Sequence, residues 1–180
     1  MRRFLLICIM TAVMLTGCSK KLETENAETT AYEGYYTTID GTARFQDSSL
    51  YYTVSGSMAR MKDGTYRYYV FIDNAQIAMY DIAVMIVEDD IPYSNSKKMM
   101  PNIGVLDETK FSMIPNQSYP EGGFVKGIAL SGESEKPSVK LEMLVEWKDK
   151  TKEKTNREFL AFNLTPDGFD TSKSVREAAE

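Results

Sequence analysis

The stretch from Lys140 to Lys148 alternates with a period of two. Leu141, Met143, Val145 and Trp147 fall on one side, Lys140, Glu142, Glu146 and Lys148 on the other, and only Leu144 is out of phase. Side chains alternate faces along a strand, so this pattern suits one face of a packed sheet and no helix. The texture recurs along the chain. Leu50 to Met61 alternates through Tyr52, Val54, Gly56 and Met58, and Asp63-Gly64 then turns into Tyr66 to Asp73. Asp-Gly between two such runs is a hairpin signal. Tyr80 to Val87 is apolar on both faces, as in a central strand covered on both sides. Ile103 to Leu106, Lys110 to Ile114 and Phe124 to Ser131 read as shorter strands, and Glu158 to Leu164 as the partner of Lys140 to Lys148 across a charged tip. Tyr35 to Phe45, broken by Asp40-Gly41, reads as strand as well. Short strands at spacings near ten residues predict an all-β fold, an immunoglobulin-like antiparallel β-sandwich of about seven to nine strands. No Cys…Trp…Cys pattern is present, so the expectation concerns the architecture alone.

The beginning of the chain carries a different signal. Arg2 and Arg3 precede an apolar run from Phe4 to Leu15, followed by Leu15-Thr16-Gly17-Cys18. The run is too short to span a bilayer, which needs roughly 20 residues. Basic start, short apolar run and small residues are the order of a secretory signal. Ending in cysteine, the site resembles the lipobox of bacterial lipoproteins. The resemblance implies cleavage before Cys18, a diacylglycerol on its thiol, and a membrane-anchored domain on the extracytoplasmic face, of the outer membrane in a cell that has one. Residues 1–17 are then the signal and residues 18–31 the lipidated cysteine with a flexible tether, since Ser19 to Thr30 lacks aromatics and strand formers. Residues 32–166 form the sandwich, and residues 167–180 a polar tail in which Ser174 to Glu177 could cap a short helix or stay disordered.

Cleavage leaves 163 residues, enough for one domain with a sizeable core. That piece carries 19 basic against 26 acidic side chains, a net charge of −7, which argues against nucleic acid and against a polybasic membrane contact. Cys8 leaves with the signal and Cys18 is lipidated, so the domain has no thiol or disulfide. The chain has no histidine. Triads built on histidine and the commonest ligand sets for zinc and copper are therefore excluded, and no cofactor is expected.

A second, softer resemblance lies in the domain. Tyr69-Val-Phe-Ile-Asp-Asn74, then Tyr119-Pro-Glu-Gly-Gly-Phe-Val-Lys-Gly127 before Leu141-Glu-Met-Leu-Val-Glu146, is similar to the layout of immunoglobulin-like domains in bacterial lipoproteins. It covers about half the processed chain and implies a fold and no activity.

Candidate sites follow from residue type. All 11 tyrosines lie beyond the signal, several as neighbours along strands, where one ring of each pair must face outward. Tyr51, Tyr69, Tyr93 and Tyr119, with Met99 and Met100 near a loop, make the expected contact surface, for a protein of the envelope or a secreted protein. A non-enzymatic binding module is the first reading. Glu88, Asp90, Asp107 and Glu108 carry the alternative, a polysaccharide hydrolase working through paired carboxylates, and with Asp89 they are also the oxygen ligands available to calcium. A passive structural lipoprotein is the third reading.

Overall fold

The computed structural model describes residues 16–107 and 109–169, with side chains from residue 27 onward. The signal residues ahead of Thr16, the expected carboxylate Glu108 and the tail beyond Phe169 lie outside the described residues.

Two antiparallel sheets pack into an all-β sandwich. The first contains β1 (Thr53–Arg60), β2 (Tyr66–Asp73) and β6 (Gly127–Ser134), in the order β1-β2-β6. The second runs β4 (Asn102–Ile103), β3 (Met79–Glu88), β7 (Val139–Lys148), β8 (Thr155–Thr165) and β9 (Gly168–Phe169), with β5 (Phe111–Met113) also paired to β3. In chain order the long strands β1, β2, β3, β6, β7 and β8 take the seats A, B, C, E, F and G of an immunoglobulin-like sandwich, with A, B and E in one sheet and C, F and G in the other.

The expected hairpin at Asp63-Gly64 closes β1 onto β2. Met61 N–H donates to Thr65 O at 2.8 Å, and Asp63 Oδ1 accepts from the Thr65 amide and hydroxyl. Gly64, at φ 92°, supplies the left-handed residue. Between the sheets lie Tyr68, Val70 and Ile72 of β2, Val84 and Ile86 of β3, Ile128 and Leu130 of β6, and Leu141, Met143, Val145 and Trp147 of β7. The period-two alternation of Lys140 to Lys148 is thus the inward face it was read to be.

One element departs from the sequence reading. The chain from Thr16 to Asp40 is a single α-helix, α1. The expected tether over residues 18–31 is helical, and the expected strand at Tyr35 is the helix's closing turns. Adjacent tyrosines with threonines have strand propensity, yet Tyr32, Tyr35, Tyr36 and Ile39 also fall at i, i+3, i+4 and i+7, the spacing of one helix face. That face is buried: Tyr36 and Ile39 at 0 % exposure, Tyr32 at 9 %. It packs on Met85, Val87 and Leu144, the second face of β3 and β7, with Met100, Phe45 and Phe159 closing the edges. A helix with so short an apolar stripe has little stability of its own, and docking fixes it. Packing also overrides strand propensity here, because β3 is apolar on both faces and, with Leu144 of β7, needs a cover on the side away from β2.

The hydroxyls of the docked face are all used. Tyr32 Oη accepts the Met100 N–H at 2.8 Å, Tyr35 Oη donates to Glu146 Oε1 at 2.8 Å, and Tyr36 Oη donates to Ile91 O. Burial pushes all three phenols above their ordinary range, and for Tyr35 the bond to the Glu146 carboxylate adds to it.

Candidate binding surfaces

The outer face of the three-stranded sheet is solvent-facing. With Tyr68, Val70 and Ile72 pointing inward, β2 must turn Arg67, Tyr69 and Phe71 outward, and it does. The register places Tyr69 between Ser57 and Ser131, Phe71 between Ser55 and Ala129, and Arg67 between Ala59 and Glu133. Two aromatic side chains therefore rise from the centre of the sheet with only small residues on both flanks. Tyr69 and Phe71 remain 40 % and 37 % exposed, their rings near-parallel at 18° with centroids 6.2 Å apart. Arg67 pairs with Glu133 at one end of the strip. Aromatic residues beside arginine are the composition of interface hot spots.

The other residues expected at a contact surface do not gather around Tyr69. Tyr51 lies just before β1, 40 % exposed, its ring edge-on to Trp147 at 5.7 Å. Tyr119 is exposed in the loop between β5 and β6, folded over Gly122, where a Cβ would meet its ring at 2.4 Å. Tyr93, half-buried in a 3-10 turn over Tyr93–Asn95, packs its ring against Tyr32 and Tyr36 at 6.2 and 5.4 Å and serves the helix seat. Met99 is exposed at 67 %. Met100, expected on the surface beside it, is 1 % exposed and fills the space under α1. Consecutive residues in an extended loop point opposite ways, so one methionine plugs and the next protrudes. Phe71 and Arg67 went unassigned in the sequence, although the alternation of β2 places both on the side of Tyr69.

A cleft of about 740 Å³ opens where β3 ends. Glu88 sits on its wall at 4 % exposure, with both carboxylate oxygens engaged. Tyr68 Oη donates to Oε1 at 2.6 Å, and Lys98 Nζ pairs with Oε2 at 2.6 Å. Burial and this carboxylate push the Tyr68 phenol far up. Glu88, a candidate hydrolase carboxylate and calcium ligand in the sequence, is thus a buried carboxylate with both oxygens already bonded within the fold. Asp89 and Asp90 follow at φ 51° and 53°, and Ile91 N–H donates back to Glu88 O, so a tight turn with two left-handed residues ends β3. Asp89 Oδ1 accepts the Lys140 amide at 3.0 Å, and Lys140 Nζ bridges Asp90 and Glu142. Burial raises the Glu142 carboxyl, against the lowering effect of Lys140.

Asp107 is elsewhere. Its Oδ2 accepts the Gly104 N–H at 2.7 Å, and Gly104 lies against the Ile82 carbonyl. Glu88 lies six positions after Ile82 along β3, about 20 Å of strand. A pair of glycosidase carboxylates needs about 5–10 Å, so Glu88 and Asp107 do not form one. Among the described residues no group of three or more acidic side chains is placed to hold a metal ion, and the expected calcium ligands are not brought together. Among the same residues no helix is long and apolar enough to cross a membrane.

No protein-family model matches this chain, and no curated protein matches it in sequence.

Proposed function

We propose that the chain is a lipid-anchored, extracytoplasmic binding module that works without catalysis, and that its partner is an envelope or secreted protein docking on the outer face of the β1-β2-β6 sheet. The observation that carries this reading is the exposed Tyr69–Phe71 strip with its floor of Ser55, Ser57, Ala129 and Ser131. Small flanking residues let a partner surface reach the rings, and burying such rings against a partner is among the most favourable events at an interface. The resemblance of Leu15 to Cys18 to a lipobox supports the location, and the absence of histidine and of a free thiol in the processed chain supports the non-enzymatic role.

A photo-crosslinking phenylalanine at Ser131, read in the producing cell, tests it. A discrete crosslinked species is expected, and Tyr69→Ala with Phe71→Ala should abolish it while leaving the thermal midpoint nearly unchanged, since both rings are part-exposed. With that partner purified, the double variant is expected to weaken binding by about 30-fold or more, the scale of a hot spot worth ~2 kcal/mol. A crosslink that survives the double substitution overturns the assignment of this face.

Cys18→Ser tests the anchor separately. Cys18 lies fourteen residues ahead of Tyr32, the first tyrosine of the docked face. The variant is expected to move from the membrane fraction to the soluble fraction with its fold intact and its biological role lost. Retention in membranes, or full function from the released domain, argues against the role given to the lipid.

A further inference from the structure

The anchored helix and the loop after β3 are built together. Tyr32 and Tyr36 bind Met100 N–H and Ile91 O, so both ends of the segment 91–100 are pinned to α1. Farther along the helix, Glu28 and Thr29 line one hollow of about 570 Å³ with Tyr93, Ser94, Lys98 and Met99. Met99 protrudes there at 67 %, after two consecutive lysines, Lys97 and Lys98. From Glu28 back to Cys18 the chain is continuous helix. Ten residues at about 1.5 Å each make roughly 15 Å. A helix does not coil and swing as a tether of the same length does, so this loop stays within about that distance of the residue that the lipobox reading gives to the bilayer.

We infer that the loop 91–100 is a second membrane contact: Met99 enters the interfacial layer of the bilayer, with Lys97 at the level of the lipid phosphates. The occupant is a lipid surface, argued from the length and stiffness of the connection and from a protruding apolar side chain with Lys97 two residues away, Lys98 being held by Glu88. Asp89, Asp90, Glu133 and Glu135 stand at the same end as Lys97, Lys98 and Lys136, so the contact rests on the protruding Met99 rather than on a net positive charge. The inference rests on the lipid anchor proposed above. It gives the domain a fixed attitude, with the end of the sandwich at Glu88 toward the membrane and the far loops at Asp81 and Thr151 away from it.

The processed, lipidated full-length protein has no other thiol, so Met99→Cys creates a unique site for an environment-sensitive fluorophore. Thr151→Cys serves as the reference at the opposite end of β3, where Lys152 pairs with Asp81. Both proteins are bound to phosphatidylcholine vesicles with and without phosphatidylglycerol. The label at position 99 is expected to shift to the blue and to be quenched by spin-labelled lipid on both kinds of vesicle. The label at position 151 is expected to stay as in water. A membrane-bound protein whose position 99 remains in water overturns the contact and leaves the anchor standing. A shift at 151 equal to that at 99 also overturns it, since the fixed attitude is then absent. Failure of the processed protein to associate with vesicles at all removes the anchor, and the contact with it.

Discussion

Gly104→Ala is expected to destabilise the domain by about 3–5 kcal/mol, the range reached when strain and a backbone clash coincide. Gly104 follows β4 at φ 72°, where an L side chain is strained by about 1–2 kcal/mol. The larger part is steric. A Cβ there would stand 2.2 Å from the Ile82 carbonyl oxygen and 3.1 Å from the Ala83 Cα, both backbone of β3. That strand cannot yield, because β7 pairs with it along one edge and its two faces are buried under the sandwich core and α1. The loop has to move instead. Moving it breaks the Gly104 N–H bond to Asp107 and the Lys110 Nζ bond to Gly104 O, which hold the connection from β4 to β5. Gly168, at φ 104° with open space around it, is the matched reference, and Gly168→Ala should show the backbone strain alone, about 1 kcal/mol. Denaturant midpoints with the transition slope held constant measure both. Equal losses at the two positions would show that the contact with β3 relaxes and that only φ matters.

The sandwich was legible because its strands carry their signal in their own neighbours. Leu141, Met143, Val145 and Trp147 alternate without help from anything distant, and Asp63-Gly64 states its own turn. The double-sided apolar character of Tyr80 to Val87 also predicted that something must cover the face away from β2. What covers it was hidden. Tyr35-Tyr36-Thr37-Thr38 has the local preferences of a strand, and only the wider spacing of Tyr32, Tyr36 and Ile39 speaks for a helix. Tertiary docking decided between them, and docking is not a local property. The same holds for Glu88. Nothing beside it in sequence announces the Tyr68 hydroxyl, twenty residues earlier, or Lys98, ten residues later. Room for that hydroxyl comes from a third place, Gly132, where a Cβ would stand 2.3 Å from Tyr68 Oη. Tyr69 could be named as outward because it neighbours an inward tyrosine. The lone Phe71 was passed over, although the same alternation governs it.

Raising the pH above 10 is expected to destabilise this domain steeply and to unfold it within about two to three pH units, far sooner than a protein of exposed tyrosines would unfold. Tyr32, Tyr36, Tyr52 and Tyr68 are all buried, and burial is the first cause that pushes each phenol above its ordinary value of 10.0. The Glu158 carboxylate near Tyr52 and the Glu88 carboxylate bonded to Tyr68 add to the effect. A phenol raised in the folded state keeps its proton there while the unfolded chain loses it. Its contribution is therefore fully present below pH 10 and is lost as pH rises from the unfolded value toward the folded one. Each such group costs about 1.4 kcal/mol of stability per pH unit in its window, so Tyr52 and Tyr68, which are raised furthest, together cost about 3, and Tyr32 and Tyr36 act in the same direction. Two such units remove about 5–6 kcal/mol through these two phenols alone, as much as the whole stability of a domain at the lower end of the ordinary range of about 5–15 kcal/mol. Glu142, raised by burial at the acid end, acts in the same direction but in a different window, above the ordinary range of a carboxylate and well below that of a phenol. Phenolate absorbance and circular dichroism followed in one titration separate the two possible orders of events. The buried tyrosines should ionise together with loss of the sheet signal, in a single transition. Tyr52→Phe removes one titrating group whose hydroxyl has no hydrogen-bond partner, and it should move that transition to higher pH. Ionisation of all the tyrosines near pH 10 with the sheets still intact would show that these hydroxyls reach water in the folded protein, and would overturn the burial of Tyr68 and of the α1 face.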